Sequence, residues 1–233
     1  MPAPAGYPVR VRGDLDPALS RWLWIVKWIL AVPHYIVLFF LHIGYAVVTV
    51  IAFFAILFTG RYPRALFDYS VGVVRWTWRV SYYAWTPAGT DKYPPFSLAN
   101  DDDYPADLDV DYPPTLHRGL VLVKWWLLAI PHYLIIGAMT GAAWVVDYDD
   151  AGSAASAMGI PLIGVLTFVA LVGLLFVARY SQGLFDFVMG VNRWMLRVQV
   201  YASLLRDEYP PFRLDQGARD AVPPPVDTEK PAA

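Results

Sequence analysis

Two histidines that recur in the same short motif have the clearest chemical potential in this sequence. Pro33-His34-Tyr35 returns as Pro131-His132-Tyr133. Two facing imidazoles could bind a metal or haem, or relay a proton. Alternatively, each proline kinks a helix while the histidine bonds a freed carbonyl or packs on the tyrosine. The second interpretation is favoured because metal and haem sites need further ligands, and His42 and His117 have no counterparts in the other copy. No metal or cofactor is therefore predicted.

Two lysines, Lys27 and Lys124, also recur, each about two turns inside a long apolar run. As cations inside a membrane they would attract anionic head groups or substrates. A lysine near the end of a span can instead extend its long side chain to the aqueous interface. Their position near the ends of the runs favours this second hypothesis.

A charged stripe follows each apolar region. On a helix that begins near Pro63, the period of 3.6 residues places arginines and one aspartate on a single face, and the second copy repeats the pattern. The favoured interpretation is that Asp68 and Asp186 orient these helices through ion pairs. Binding of anionic lipid head groups is the alternative, and a catalytic or transport gate is the third. The arginines concerned are Arg64, Arg75, Arg79, Arg193 and Arg197.

These residues belong to an internal repeat that organises the chain. The offset between the copies is 98 residues at the Pro-His-Tyr motif but 118 from Arg61 and Arg179 onward. The second copy therefore contains about twenty additional residues between its two apolar runs. Because insertions are tolerated at exposed loop tips and not inside packed helices, the extra segment indicates a turn.

The length of the apolar runs predicts the fold class. As one helix, the run from 22 to 59 would extend roughly 57 Å, nearly twice the thickness of the hydrocarbon layer. Transferring the turn of the second copy onto the first predicts a break near 41–44. The sequence thus predicts an all-α polytopic membrane protein with two parallel-repeat transmembrane helical hairpins, each followed by an amphipathic interfacial helix, and with short cytoplasmic extended segments. The four spans are expected at about 20–41, 43–59, 118–141 and 159–178.

The charged stripes place the two post-hairpin helices, at about 63–84 and 181–203, in the membrane interface. At mid-bilayer each of their charges would cost roughly 2.5–3.5 kcal/mol. The expected domains are the first repeat at 1–98, an acidic cytoplasmic connector at 99–114, the second repeat at 115–214 and a disordered tail at 215–233.

The distribution of basic residues predicts the orientation of the chain. All eighteen Lys and Arg lie outside both predicted hairpin tips, and the longer tip carries Asp147, Asp149 and Asp150. By the positive-inside rule both termini and the connector are expected in the cytoplasm. The predicted location is the bacterial plasma (inner) membrane, as a multi-pass protein.

Enzymatic chemistry finds no support in the residues. The chain has no cysteine, which excludes disulfides, thiolate metal sites and cysteine nucleophiles. No serine has the glycine pattern of a nucleophile elbow, and the sequence contains no phosphate-binding glycine loop, zinc-binding helix motif or dinucleotide fingerprint. No enzymatic activity is predicted, and an integral-membrane enzyme that acts on lipid is the weakest hypothesis because no catalytic pair is visible. No nucleic-acid partner is expected.

The first copy carries a combination of motifs that resembles a known family. It reads Tyr7-Pro-Val-Arg, Ser20-Arg-Trp-Leu-Trp, Pro33-His-Tyr, Phe58-Thr-Gly-Arg-Tyr-Pro and Leu66-Phe-Asp68. In this combination the chain is similar to the bacterial family called "domain of unknown function 4389", whose members are multi-pass membrane proteins. The resemblance extends over both copies, although the second departs from it at Ala178-Arg-Tyr-Ser181 and through its insertion. It implies a bacterial inner-membrane protein, and it supplies no activity and no catalytic residues.

The leading functional hypothesis is a non-enzymatic membrane scaffold or accessory subunit. Its expected partners are membrane lipids, anionic ones above all, together with a membrane-protein partner or further copies of itself. The alternative is a small transporter or channel with a path between the repeats, near His34 and His132. Internal repeats favour this alternative, whereas the few polar residues of the predicted spans count against it.

Overall fold

A computed structural model describes residues 7–141, 144–148, 154–158, 162–177 and 180–219 of the chain. In chain order the elements are β1 (Val9–Gly13), α1 (Trp24–Leu30), α2 (Val32–Thr59), α3 (Arg64–Ala84), β2 (Ala106–Val110), a 3₁₀ turn (Leu120–Leu122), a π-helical turn (Lys124–Leu128), α4 (Ile130–Thr140), β3 (Trp144–Tyr148), β4 (Ala154–Met158), α5 (Leu162–Val177) and α6 (Gln182–Ala202). The strands form two antiparallel two-stranded ribbons, β1–β2 and β3–β4.

The prediction of four membrane spans is wrong. Within the described residues one helix, α2, is long and apolar enough to cross a membrane, as a span or a signal sequence would be, whereas α4 and α5 are shorter. The break expected near 41–44 does not occur, because α2 runs unbroken for 28 residues. Gly44 provides space and not a turn: a Cβ there would overlap the hydroxyl of Tyr69. That hydroxyl donates to the carbonyl of Leu41 at 2.9 Å.

In the second copy, two helices correspond to the single helix α2. The offset of 98 aligns α4 with the start of α2, and the offset of 118 aligns α5 with its end. The β3–β4 ribbon lies between them, with Trp144 paired to Met158 and Tyr148 to Ala154. The inserted residues therefore interrupt a helix in one copy that is continuous in the other.

The two helices expected to lie in a membrane interface, α3 and α6, are instead central to the fold. The charged stripe of α3 was expected to face water, yet Arg79 is 0% exposed. Trp76, on the opposite side of the helix, is also buried. The reason is that α3 packs against α2 on one side and against β2 on the other. The stripe thus faces a strand and not water.

A pseudo-two-fold axis that passes through the β1–β2 ribbon relates the two repeats. Val11 pairs with Leu108, and these are equivalent residues of the two copies. Arg75 Nε donates to the Leu108 carbonyl at 2.7 Å, and Arg193 Nε donates to the Val11 carbonyl at 3.4 Å. Each repeat therefore holds the strand that precedes the other repeat.

The repeats share one hydrophobic core. Its largest cluster of buried residues combines the ribbon with both central helices, including Val11 and Leu108, Trp78 from α3, and Phe185 and Met189 from α6. The predicted disordered tail lies outside the described residues from 220 onward. Its first part is described, and the carbonyl of Ala218 accepts a hydrogen bond from the amide of Gly13 at 2.9 Å.

Replacing Asp107 with alanine is expected to destabilise the protein strongly. Asp107 Oδ1 lies 3.1 Å from the nearest guanidinium nitrogens of both Arg75 and Arg79, whose side chains are 11% and 0% exposed. Removing one partner leaves buried charge uncompensated, which typically costs 3–5 kcal/mol. We expect Asp107→Ala to lower the free energy of unfolding by about 3 kcal/mol or more, measured by urea denaturation followed through tryptophan fluorescence.

The matched control is Arg10→Gln on the same ribbon. Arg10 pairs with Asp109 and Asp111, but all three side chains are at least half exposed. Exposed ion pairs contribute about 0–1 kcal/mol, so the control should lose less than about 1 kcal/mol. Equal losses in the two variants would contradict the assigned role of Asp107.

Candidate functional site

Both recurrent lysines are buried ion-pair partners. Lys27 Nζ lies 2.7 Å from Asp91 Oδ1 and donates to the Thr90 carbonyl at 2.5 Å. Lys124 Nζ donates to Asp207 Oδ1 at 2.6 Å. The lysine side chains are 2% and 1% exposed, so neither extends to water. Burial lowers the pKa of Lys27, and the hydrogen bond to Asp91 opposes that effect.

Each recurrent histidine is enclosed by aromatic rings of its own repeat. His34 stacks on Phe96 with ring centroids 3.9 Å apart, and His132 stacks on Phe212 at 4.2 Å. Trp76 Nε1 donates to His34 Nδ1 at 3.0 Å. Among the described ring contacts the two histidines do not meet, and the described residues contain no cluster of three or more His, Cys, Asp or Glu that could hold a metal.

Two recurrent Tyr-Pro-Pro-Phe segments, 93–96 and 209–212, close these two histidine sites. The hydroxyl of Tyr93 donates to the Leu30 carbonyl at 3.0 Å, and Tyr209 donates to the Leu128 carbonyl at 3.2 Å. These bonds hold each segment against the start of the helix that carries the histidine. The neighbouring tyrosines differ between copies. Tyr35 accepts from Trp85 Nε1 at 2.7 Å, whereas Tyr133 donates to the Trp125 carbonyl at the same distance.

Four of the five arginines proposed to bind lipid are buried. Arg75 and Arg79 contact β2 and Asp107, while Arg193 donates to the Gly217 carbonyl at 2.9 Å and Arg197 to Asp215 Oδ2 at 2.7 Å. Counted over whole residues, with backbone included, these four are at most 9% exposed. Burial lowers the pKa of Arg79, and the charge of Asp107 opposes that effect. Their surroundings give them a structural role.

The remaining residues of the stripes lie at the starts of the two central helices. Arg64 is the exposed arginine of the five, and its Nε lies 3.0 Å from Asp68 Oδ1 one turn later. In the second copy Asp186 Oδ1 accepts a hydrogen bond from Gln182 Nε2 at 2.9 Å. Both aspartates therefore bond within the first turns of their own helix and do not reach the buried arginines.

The carboxylates that neutralise the buried cations were not among the residues predicted from the sequence. Asp91 and Asp207 both stand two residues before a Tyr-Pro-Pro-Phe segment, and this recurrence could have identified them. Asp107 and Asp215 are harder to find, because they occupy different positions relative to the repeat.

One face of α1 and α2 is exposed, and every exposed residue on it before Thr59, the last residue of α2, is apolar. We call the exposed apolar residues of these two helices the outer face. Along α2 they recur every three or four residues, so they form a continuous stripe. Representative exposures are 58% for Ile36, 65% for Phe40, 58% for Val50 and 71% for Phe58. The opposite side of α2, with His34 and Ile56, is buried against α3.

Exposed tryptophans lie near the starts of the apolar helices in both copies. Their exposures range from 46% to 66%. Indole rings combine a large apolar surface with one polar N–H group, which suits a boundary between apolar and aqueous surroundings. We call this group the tryptophan fringe. It consists of Trp22, Trp28, Trp85, Trp125 and Trp126.

The first repeat is layered from apolar to charged. The outer face lies on α2, which packs on α3, and α3 packs on β2. Contacts place the ribbon near both ends of α2. Tyr112, just after β2, donates to the Tyr62 carbonyl near the end of α2. Trp76 meets His34 near the start of α2, and the adjacent Arg75 donates to the Leu108 carbonyl of β2. The far side of the ribbon carries exposed charges, including Arg10. The ribbon therefore extends alongside α2 and not beyond one of its ends.

Two exposed arginines meet at the end of α2. The amide of Leu116 donates to the Gly60 carbonyl at 2.8 Å, which brings the start of the second repeat against the end of this helix. A Cβ on Gly60 would lie 3.4 Å from Arg118 Nε, and Arg61 follows Gly60 directly. Both arginines are exposed, and neither guanidinium has a hydrogen-bonding acceptor among the described residues. We call Arg61 and Arg118 the basic pair.

A family profile described as Domain of unknown function (DUF4389) matches residues 21–97 and 155–213, which is more than half of the chain. The chain belongs to the DUF4389 family. The two matched segments agree with two copies of the family's unit. The second segment begins inside β4, so Lys124 and His132 of this DUF4389 protein lie outside it. No curated protein and no solved structure matches the chain.

The buried Lys27–Asp91 pair predicts a pH-dependent loss of stability. In Asp91→Asn the lysine loses its carboxylate, and burial then favours the neutral amine more strongly. The folded state binds fewer protons than the unfolded state, so stability rises with pH toward the ordinary lysine pKa. We expect a loss of roughly 3 kcal/mol near pH 7 that shrinks near pH 9.5, measured by urea denaturation.

Two further variants complete this measurement. Asp207→Asn should behave in the same way, because it removes the partner of Lys124. Asp68→Asn removes an exposed partner of Arg64 and should cost less than about 1 kcal/mol at both pH values. A loss in Asp91→Asn that does not change with pH would show that the lysine charge is not its cause.

Proposed function

We propose that the protein is a non-enzymatic scaffold or accessory protein of the bacterial plasma membrane, with its outer face in one leaflet and its β1–β2 ribbon in water. The observation that carries this proposal is the outer face itself. Soluble monomers rarely expose contiguous apolar patches above a few hundred Å². Here exposed apolar residues follow the full length of a 28-residue helix.

The free energy available from this surface is large. Transfer of a single Val, Leu, Ile or Phe side chain out of water contributes roughly 1.5–3 kcal/mol. Phe39, Phe40, Phe54 and Phe58 alone are each more than half exposed. A bilayer interior would accept all of them without any polar partner.

The layering supports a helix in the membrane plane. If α2 stood along the membrane normal, the charged ribbon beside it would enter the hydrocarbon layer. Charges at that depth are costly. With α2 parallel to the surface, Arg10 and its acidic partners remain in water while the outer face reaches the acyl chains. An in-plane helix with one apolar face is a known mode of monotopic attachment.

The tryptophan fringe and the basic pair support contact with anionic lipid. Tryptophans concentrate at membrane–water boundaries. Exposed cations near such a boundary gain about 1 kcal/mol each from anionic lipids. Arg61 and Arg118 are available for this contact, whereas the buried arginines of α3 and α6 are not.

A scaffold function agrees with this arrangement better than transport. The transport hypothesis placed a path near His34 and His132, but rings of its own repeat enclose each of them. The ribbon surface, with its exposed charges, is available on the aqueous side for a membrane-protein partner or another copy of the chain.

The proposal predicts two separable contributions to vesicle binding. We expect the purified chain to float with vesicles of neutral phosphatidylcholine and more tightly with vesicles that also contain phosphatidylglycerol. Arg61→Gln with Arg118→Gln should weaken binding to the acidic vesicles by roughly 30-fold, from about 1 kcal/mol per arginine. Binding to neutral vesicles should not change.

The matched control is Arg10→Gln with Arg219→Gln. It changes the net charge equally, but Arg10 lies on the ribbon and Arg219 pairs with Asp14 beside it. This control should bind acidic vesicles as the parent chain does. Failure of the parent chain to bind any vesicle would overturn the membrane proposal. Equal weakening in both double variants would overturn the role of the basic pair.

A further inference from the structure

A cleft of about 560 Å³ lies between the two repeats. Trp24, Ile25 and Trp28 of α1 line one side, the end of α3 contributes Trp85, and α5 of the second repeat contributes Thr167. Its volume falls within the range of small-molecule sites. Its walls are mainly apolar and aromatic, so it suits a ligand with an apolar body.

Two residues that line this cleft each carry a hydrogen-bonding atom that has no partner among the described residues. The atoms are Trp24 Nε1 and Thr167 Oγ1, and both are inaccessible to solvent. Thr167 is only 3% exposed. A buried polar group without a partner typically costs 1–3 kcal/mol, so native proteins rarely leave one unsatisfied. Two such atoms on residues that line one cleft indicate a ligand that carries an oxygen.

The equivalent interface on the other side of the pseudo-two-fold axis is closed. There the position of Trp24 is held by Val121, as the alignment of Lys27 with Lys124 shows, and Val121 is 0% exposed. The position of Thr167 is held by Thr49, whose hydroxyl donates to the Tyr45 carbonyl at 2.8 Å. The Tyr45 hydroxyl bonds Ser203 and fills the remaining space.

The open interface, which contains the cleft, differs from the closed one at identifiable positions. In place of Tyr45 and Ser203 it has Ile163 and Trp85, which cannot make the same bond. The repeat thus predicts a filled contact that this chain has replaced with a cleft. Packing alone gives no reason for leaving two polar atoms unsatisfied at one interface and none at the other.

We infer that this cleft binds a long-chain acyl group, and that the side chains of Trp24 and Thr167 turn toward it so that its carbonyl oxygen accepts a hydrogen bond from each. The indole N–H can only donate, and a threonine hydroxyl can donate, so both require an acceptor. An acyl group combines one acceptor oxygen with an apolar chain. An apolar helix of a partner protein fits less well, because its backbone carbonyls are already bonded within the helix.

The cleft opens where an acyl chain would arrive. Ile25 and Trp28 line it and also belong to the outer face, with exposures of 44% and 49%. The acyl group could come from a phospholipid or from a free fatty acid. The second source makes the inference independent of membrane attachment, since a free acid reaches the cleft from water.

The test uses two photoactivatable probes on the full chain, purified in detergent and stripped of lipid. One probe is palmitic acid with a mid-chain diazirine, and the other is a phosphatidylcholine that carries the same acyl chain. Cross-linked residues are located by peptide mass spectrometry. We expect adducts in α1 and α5 that unlabelled palmitate or phosphatidylcholine removes by competition.

A filling substitution and its control lie on the same helix. Gly164 lines the cleft, so Gly164→Leu should abolish these adducts. A Cβ on Gly173 of α5 meets nothing within 4 Å, so Gly173→Leu should leave the adducts unchanged. Equal labelling of the two variants would overturn the inference, and so would the absence of adducts in α1 and α5 with both probes.

The hydrogen bonds from Trp24 and Thr167 to the ligand are tested by separate variants. Thr167→Val preserves shape and removes one donor, and Trp24→Phe keeps an aromatic ring, although a smaller one, and removes the other donor. Each should weaken probe binding by roughly 2- to 10-fold. Thr49→Val, at the closed interface, should not affect probe binding. Unchanged binding in both cleft variants would overturn the carbonyl assignment. Adducts with one probe only would support the cleft and identify the acyl source as the acid or the phospholipid.

Discussion

The fold depends on buried arginines of each repeat that donate hydrogen bonds to the backbone of the strand preceding the other repeat. Arg75 reaches the carbonyl of Leu108, and Arg193 reaches the carbonyl of Val11. A guanidinium without exposure must find acceptors inside the protein, and a two-stranded ribbon leaves outward-facing carbonyls along its edges. The strand carbonyls supply the acceptors that the guanidinium groups need, and the guanidinium groups supply donors for those carbonyls. Because each strand precedes the opposite repeat, each arginine takes part of its hydrogen bonding from the strand of the other repeat.

Because each repeat binds the strand that precedes the other, the order of the layers is fixed. The ribbon lies beneath both central helices, so the charged stripes of α3 and α6 face inward and the apolar helices α1, α2, α4 and α5 remain outside. The pseudo-two-fold axis through the ribbon gives both repeats the same orientation. One side of the molecule is consequently apolar with a fringe of tryptophans, and the other is charged. The proposed attachment to a membrane surface rests on this division.

Recurrence in the sequence predicted the pairs of residues but not their surroundings. Lys27 and Lys124, His34 and His132, and the arginine stripes were all identified because the copies repeat them. Their burial was not predictable, since a charged stripe looks the same whether it faces water or a strand distant in the chain. The four-span prediction failed for a related reason. It treated Gly44 as part of a turn, whereas the missing side chain makes room for Tyr69.

The orientation of α2 in a bilayer tests the account most directly. The chain has no cysteine, so single cysteines at Ile36, Ile43, Val50 and Phe58 can each carry one nitroxide label. Their depth in vesicles is measured by electron paramagnetic resonance from collisions with oxygen and with a water-soluble nickel complex. An in-plane helix predicts nearly equal depth at all four positions. A helix along the normal would separate the first and last by roughly 33 Å and place the deepest label between them, and that result would contradict the account.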